Sequence, residues 1–137
     1  MSNASCHCIA LRKATRKLSS LYDAALAPLG INVGQFSLLR RVRRFGPVSL
    51  TDLAEYLDLD RSTVGRNTKV LERMGLLTVA TGRDQREALL SLTDAGRQVV
   101  EDGAPLWDAV QGNIETRLGA ERLAQLHDIL NDIQTDC

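Results

Sequence analysis

Between residues 61 and 74, Ser62, Thr63, Arg66, Asn67, Lys69 and Arg73 fall on one side of a helical projection, and Val64, Leu71 and Met74 on the other. Short hydroxyls, a planar amide and guanidinium groups so arranged are donors and acceptors that reach base edges and phosphates, and the major groove admits one α-helix. Arg66 suits the acceptor pair of guanine and Asn67 the acceptor–donor pair of adenine, although either side chain can equally hold a phosphate. Residues 61–86 carry six basic side chains (Arg61, Arg66, Lys69, Arg73, Arg83, Arg86) against Glu72 and Asp84. The whole chain is formally neutral, with 17 basic and 17 acidic residues. That zero is a cancellation, because residues 1–100 carry net +6 and residues 101–137 net −6. A polyanion responds to the local field rather than to the total.

Such a helix needs elements to hold it. The 137 residues make about one domain, and 44% hydrophobic with 25% charged residues is an ordinary globular composition. No apolar run approaches the roughly 18 residues of a membrane span, and the N-terminus lacks a signal-peptide pattern, so a cytoplasmic location is expected. Ser2-Asn3-Ala4 after the initiator Met are compatible with either an expression remnant or native sequence, and no functional role is assigned to the first four residues. From about 8 to 29 a helix places Leu11, Ala14, Leu18, Leu21 and Ala25 at heptad-like spacing and stops at Pro28 and Gly30. A second, about 34–45, turns Phe36, Leu39 and Val42 inward and ends at Gly46-Pro47. Ser49 then caps a third, with Asp52 closing a capping box and Val48 and Leu53 forming a hydrophobic staple. This helix buries Leu50, Leu53, Ala54 and Leu57. Asp58-Leu59-Asp60 interrupt the chain, Asp60 caps the basic helix, and Gly75 ends it. Two β-prone runs, 76–80 and 88–92, predict a hairpin across the polar segment 81–87. Thr93 caps a long helix read on Ala95, Val99, Leu106, Val110 and Ile114, with a kink expected at Gly103 and Pro105. A final helix, about 120–133, repeats Leu123, Leu126, Leu130 and Ile133. The fold class is therefore mainly α with a small β-hairpin wing: a winged helix-turn-helix flanked by N- and C-terminal helices.

The stretch SLTDLAEYLDLDRSTVGRNTKVLERMGLLTVA, followed by GRDQREALLSLTDAG, resembles the MarR family of bacterial transcription regulators. Asp84-Gln85-Arg86 matches the family's D-x-R at the wing, and Leu90 to Gly96 its L-x-L-T-x-x-G. The resemblance spans about residues 6–135. It implies one domain over 1–137, with dimerisation helices at about 1–30 and 95–137 and a DNA-binding lobe at about 34–92. It further implies a homodimer on a pseudo-palindromic double-stranded DNA operator, probed by Arg61, Ser62, Thr63, Arg66, Asn67, Lys69 and Arg73 in the major groove. The resemblance also implies that Arg86 reaches the adjacent minor groove, which when narrow attracts a guanidinium, that Arg83 is a further DNA contact at the wing, and that Asp84 is a structural brace. Repression is the family default.

A regulator needs an input. Cys6 and Cys8 stand at a helix start, where the dipole favours an anion, and Arg12 lies four residues beyond Cys8. Organic-hydroperoxide sensors of the resembled family carry a reactive cysteine near this point, which makes an oxidant one candidate effector and inert cysteines the plain alternative. The other candidate is a small aromatic ligand, bound between the dimer helices and the DNA lobe, with Tyr22, Phe36 and Trp107 as wall residues or simply as core. Three cysteines make no disulfide framework. A structural zinc site wants four ligands, and beyond Cys6, His7 and Cys8 only His127 and Cys137 remain, so no metal or cofactor is expected. The sequence has no phosphate-binding glycine loop, H-E-x-x-H or G-x-S-x-G, which argues against an enzyme. The competing reading is a winged-helix protein-interaction or antirepressor module that does not bind DNA.

Overall fold

The computed structural model describes residues 6–81 and 87–136. Its helices are α1 (His7–Leu26), α2 (Val33–Phe45), α3 (Leu50–Leu57), α4 (Arg61–Arg73), α5 (Asp94–Leu118) and α6 (Ala120–Asp136), and its strands are β1 (Val48–Ser49), β2 (Leu77–Thr81) and β3 (Ala88–Leu92). A 3-10 turn, Ala27–Leu29, closes α1 and ends on Gly30 in the left-handed conformation at φ 74°, where a side chain would be strained.

The reciprocal capping box lies at α2. Asn32 Oδ1 accepts from the Gln35 amide at 2.9 Å, and Gln35 Oε1 accepts from the Asn32 amide at 3.0 Å. The Asp23 carboxylate on α1 accepts from the next amide, Val33, at 2.8 Å, so the α1–α2 corner meets α2's free donors from two sides. At α3 the expected box is one-way: Ser49 Oγ accepts from the Asp52 amide at 3.0 Å, and no return bond forms. Asp52 is a methylene shorter than the Glu or Gln that closes such boxes. Val48 and Ser49 also form a third strand, pairing antiparallel with Leu90 and Leu89 of β3. The sheet order is β1-β3-β2, with β3 central and β2 paired to it from Leu77↔Leu92 to Thr81↔Ala88.

The core lies beneath this sheet. Phe36, Leu38, Leu39 and Val42 of α2, Leu53 of α3, Val64 and Leu71 of α4, Leu77 of β2 and Leu90 of β3 are buried. Met74, expected inside, is exposed, because it is the C-cap residue of α4 and lies past the last helical turn. Thr93 caps α5 as expected, accepting from the Gly96 amide at 3.0 Å while donating to the Gly75 carbonyl at 2.7 Å. That hydroxyl ties the end of the α4 segment to the start of α5.

α5 departs most from the sequence reading. It continues as one helix through Gly103 and Pro105, and its buried positions are Gly96, Val100 and Gly103. Ala95 is exposed and Val99 only partly buried. A Cβ on Gly96 would lie 2.1 Å from the Leu76 carbonyl oxygen, and one on Gly103 would lie 2.5 Å from Phe36 Cε1. These glycines are there for close approach, not for bending.

α1 and α6 remain largely uncovered in the single chain. Leu11, Leu18 and Leu21 of α1 and Leu126, Ile129 and Ile133 of α6 are exposed, Ile129 at 56%. The only buried residue of α1 is Leu26. Intramolecular packing therefore does not account for the two apolar stripes.

Candidate nucleic-acid interface

α3 stops because Asp58 takes the left-handed conformation, φ 52° and ψ 48°. It is the sole non-glycine residue with positive φ among the described residues, and Asp tolerates that region better than most side chains. Asp60 precedes α4 in extended conformation but accepts no amide bond through its side chain, so the cap expected from its identity is reduced to a negative charge beside the helix start. α4 is seated by Val64, Thr68 and Leu71. The Thr68 hydroxyl is satisfied by the Gly65 carbonyl at 2.8 Å.

The opposite face carries the residues named from the sequence. Arg61, Ser62, Arg66, Lys69 and Arg73 are exposed, while Thr63 and Asn67 are partly buried. Arg66 Nη2 donates to Thr63 Oγ1 at 3.4 Å, a long contact that lays the guanidinium along the helix. Two ion pairs occur among the described residues, Arg43–Glu101 and Arg97–Asp94, and neither involves α4. The basic face therefore keeps its charge for an external anion. Arg83, Asp84 and Arg86 fall in the segment joining β2 and β3, outside the described residues.

The remaining candidates separate into three places. Cys6 and Cys8 are exposed at the start of α1, Cys6 at its N-cap position. Cys8 also lines a cavity of about 760 Å³ bounded by Leu11, Arg12 and, from α6, Ile133. No group of three or more His, Cys, Asp or Glu side chains is gathered as a metal site among the described residues. Phe36 is fully buried, a core ring, yet it and Trp107 border a second cavity of about 480 Å³ that Tyr22 does not line. Tyr22 lies beside Trp107, ring centroids 6.2 Å apart, and its hydroxyl donates to Gln111 Oε1.

Burial raises the Tyr22 phenol above its ordinary value of 10.0, and the Glu115 carboxylate adds to the effect. The folded chain thus holds this proton more tightly than the unfolded chain. The associated stability is complete below about pH 10 and is lost as pH rises through the higher folded value. Tyr22→Phe is expected to flatten the alkaline limb of the stability curve and to cost about 1 kcal/mol at neutral pH through the lost bond to Gln111. Urea denaturation of both proteins from neutral pH to above the phenol range checks this. An unchanged alkaline slope would remove Tyr22 as its source.

The sequence reading missed Arg40, Arg41 and Arg44, which join Phe36 and Trp107 around the second cavity. Their signal was four arginines in the five residues 40–44.

A helix pair with a tight turn, a basic outward helix and a following hairpin on a three-stranded sheet define a winged-helix protein of the transcription-regulator class. Residues 29–87 match the family model described as MarR family. The chain is 30% identical over 92 residues, 67% of each protein, to the uncharacterized HTH-type transcriptional regulator YwoH of Bacillus subtilis (strain 168). It is 32% identical to the M. tuberculosis transcriptional regulator MosR solved in complex with DNA, with TM-score 0.85 over 97% of this chain and 98% of that one. Bordetella bronchiseptica BpsR, from a structure on regulation of its DNA binding by 6-hydroxynicotinic acid, shares the fold at TM-score 0.87 and 22% identity, over 100% and 99% of the chains. This chain belongs to the MarR family, and it is a transcriptional regulator rather than an enzyme.

Proposed function

We propose that the chain is a sequence-specific DNA-binding repressor, acting as a homodimer of one domain over 1–137. In this reading the helices at about 1–30 and 95–137 pair the two copies, and the lobe at about 34–92 reads DNA. The carrying observation is α4: seated by Val64, Thr68 and Leu71, with Arg61, Ser62, Arg66, Lys69 and Arg73 exposed to solvent. Thr63 and Asn67 complete that face. Arg83 and Arg86 contribute minor-groove and phosphate contacts from the segment between β2 and β3, with Asp84 as their brace, roles that rest on the family motif. The exposed apolar stripes of α1 and α6 support the homodimer, since each is left without a partner in one chain. Two lobes related by a twofold axis read half-sites about 34–36 Å apart, or a multiple of that.

Arg66→Ala is expected to weaken operator binding roughly 5- to 150-fold, the equivalent of about 1–3 kcal/mol, without lowering Tm, because the side chain is exposed. Lys69→Ala should instead weaken all sequences alike and lower the salt slope by about 1 if it contacts phosphate. Selection of bound duplexes from a randomised pool supplies the operator for both measurements. An enriched inverted repeat supports the reading. No enrichment at low salt from folded protein favours the protein-contact module instead.

Release is proposed to follow from one of two inputs, each favoured by its own observation. The exposed Cys6 and Cys8 at the α1 start suit attack of a thiolate on a peroxide, forming a sulfenic acid and expelling water or an alcohol. The cavity beside Phe36 and Trp107 suits a small aromatic ligand. Repeating the selection with peroxide-treated protein separates them: loss of the repeat after oxidation, reversed by reductant, assigns the thiols, and an unaffected repeat sets the thiols aside and points the search at small ligands.

A further inference from the structure

The cavity between α2 and α5 has a chemistry that a simple aromatic ligand does not explain. Its floor is fixed, because the Phe36 ring lies so close to the α5 backbone that a Cβ at Gly103 would stand 2.5 Å from it. Trp107, one turn further along α5, supplies a partly buried aromatic wall. Arg40 is held over both rings, its guanidinium carbon 4.5 Å from the Trp107 centroid and 5.6 Å from that of Phe36. Such contacts fix a guanidinium without neutralising it. Arg41 and Arg44 border the same cavity, as does the Ser37 hydroxyl, and no carboxylate lines it. Arg43, on the other side of α2, is the arginine of this run that reaches an acid, Glu101 at 3.8 Å.

Three arginines thus line about 480 Å³ with no anionic side chain among the lining residues; Arg40 is set against Trp107, and Arg44, whose guanidinium carbon lies 5.6 Å from the Phe45 centroid, stands at the rim. That volume is within the range of small-molecule sites. A monocarboxylate would leave two of the three charges unmatched. A phosphoryl group carries up to two charges and presents several oxygens, which arginine pairs take up in bidentate fashion. Trp107 meanwhile offers a face for a planar ring. We propose that this cavity binds a small molecule carrying one or more phosphoryl groups on a planar ring system. The inference deepens the ligand branch of the functional reading above and rests on it only for the claim that occupancy alters DNA binding.

Trp107 is the one tryptophan in the chain, so its emission reports on this cavity directly. Full-length protein without DNA is titrated with ADP, inorganic pyrophosphate and salicylate, following Trp107 fluorescence and thermal shift. ADP is expected to saturate at a concentration at least tenfold below salicylate, with pyrophosphate in between. The Arg41→Gln, Arg44→Gln double variant is expected to weaken ADP at least tenfold at unchanged Tm. Salicylate binding as tightly as ADP, no response to either phosphate probe, or undiminished ADP affinity in the folded double variant would each overturn the proposal. So would a double variant that retains ADP binding but loses operator affinity with a shallower salt slope, since the arginines would then be contacts to DNA phosphate. Operator binding by the wild-type protein is measured separately, so failure of the DNA reading and failure of the phosphoryl site give different patterns.

Discussion

Replacing Gly96 with alanine is expected to lower stability by about 3 kcal/mol or more, a fall in Tm of roughly 10 °C for a chain of this size. The added Cβ would stand 2.1 Å from the Leu76 carbonyl oxygen and 3.1 Å from its carbonyl carbon. Neither is the end of a flexible side chain. The same carbonyl accepts the Thr93 amide at 3.1 Å, so moving it away also disturbs the corner where α5 leaves the sheet. Gly65→Ala is the matched control: its Cβ would meet only Leu50 Cδ2, at 3.8 Å. Removing a mid-helix glycine there should stabilise by about 0.5–1 kcal/mol. Chemical denaturation of both variants is the test. An unchanged midpoint for Gly96→Ala would show that the corner relaxes at little cost.

Phe36→Ala is expected to cost about 3–5 kcal/mol, the range for emptying a buried aromatic site. Gly103→Ala alone should cost about 1–3 kcal/mol by overpacking, since its Cβ would lie 2.5, 3.0 and 3.3 Å from three atoms of the Phe36 ring. With Phe36 already removed, that second penalty should vanish, because the methyl then enters vacated space. The double-mutant cycle is therefore expected to give a coupling of at least about 1 kcal/mol. Additive losses would mean that the ring and the glycine backbone do not confine one another.

These two glycines also mark the limit of what the sequence made legible. The helix-turn-helix was readable because its signals are local: Ser49 and Thr93 as caps, Gly75 as a stop, and the inward spacing of Phe36, Leu39 and Val42 all act within a few residues. α5 was legible only in part, for the opposite reason. A periodicity search looks for apolar bulk and found Val99 and Leu106, which do pack against the core, but not the buried line through Val100 that rests on absent side chains at Gly96 and Gly103. Whether a glycine bends a helix or admits a neighbour depends on what approaches it, here Leu76 at Gly96 and Phe36 at Gly103, both too distant in sequence for a local pattern to show. β1 was hidden similarly, since two residues carry no alternation and their partner strand lies some 40 residues on. For the candidate interface, the exposure of Arg61, Ser62, Arg66, Lys69 and Arg73 was legible from α4's periodicity, whereas Thr63 and Asn67, read on the same face, are partly buried because they project beside the apolar side of the helix. The arginines of α2 were not singled out, because only the fold brings Trp107 beside Arg40.

α5 has a mechanical consequence. Its first ten residues are clamped into the lobe at Gly96, Val100 and Gly103, and its far end packs on α6. With 25 residues it is a rod about 37 Å long. Turning the distal end through about 5° would swing the clamped end by about 3 Å, close to the roughly 3.4 Å rise of one base pair. Because the clamp is backbone against backbone and ring, the lobe must follow the rod rather than absorb the motion. In the proposed homodimer, a small change in how the two rods cross would therefore shift each α4 by about one base step, enough to take a pair of half-sites out of register.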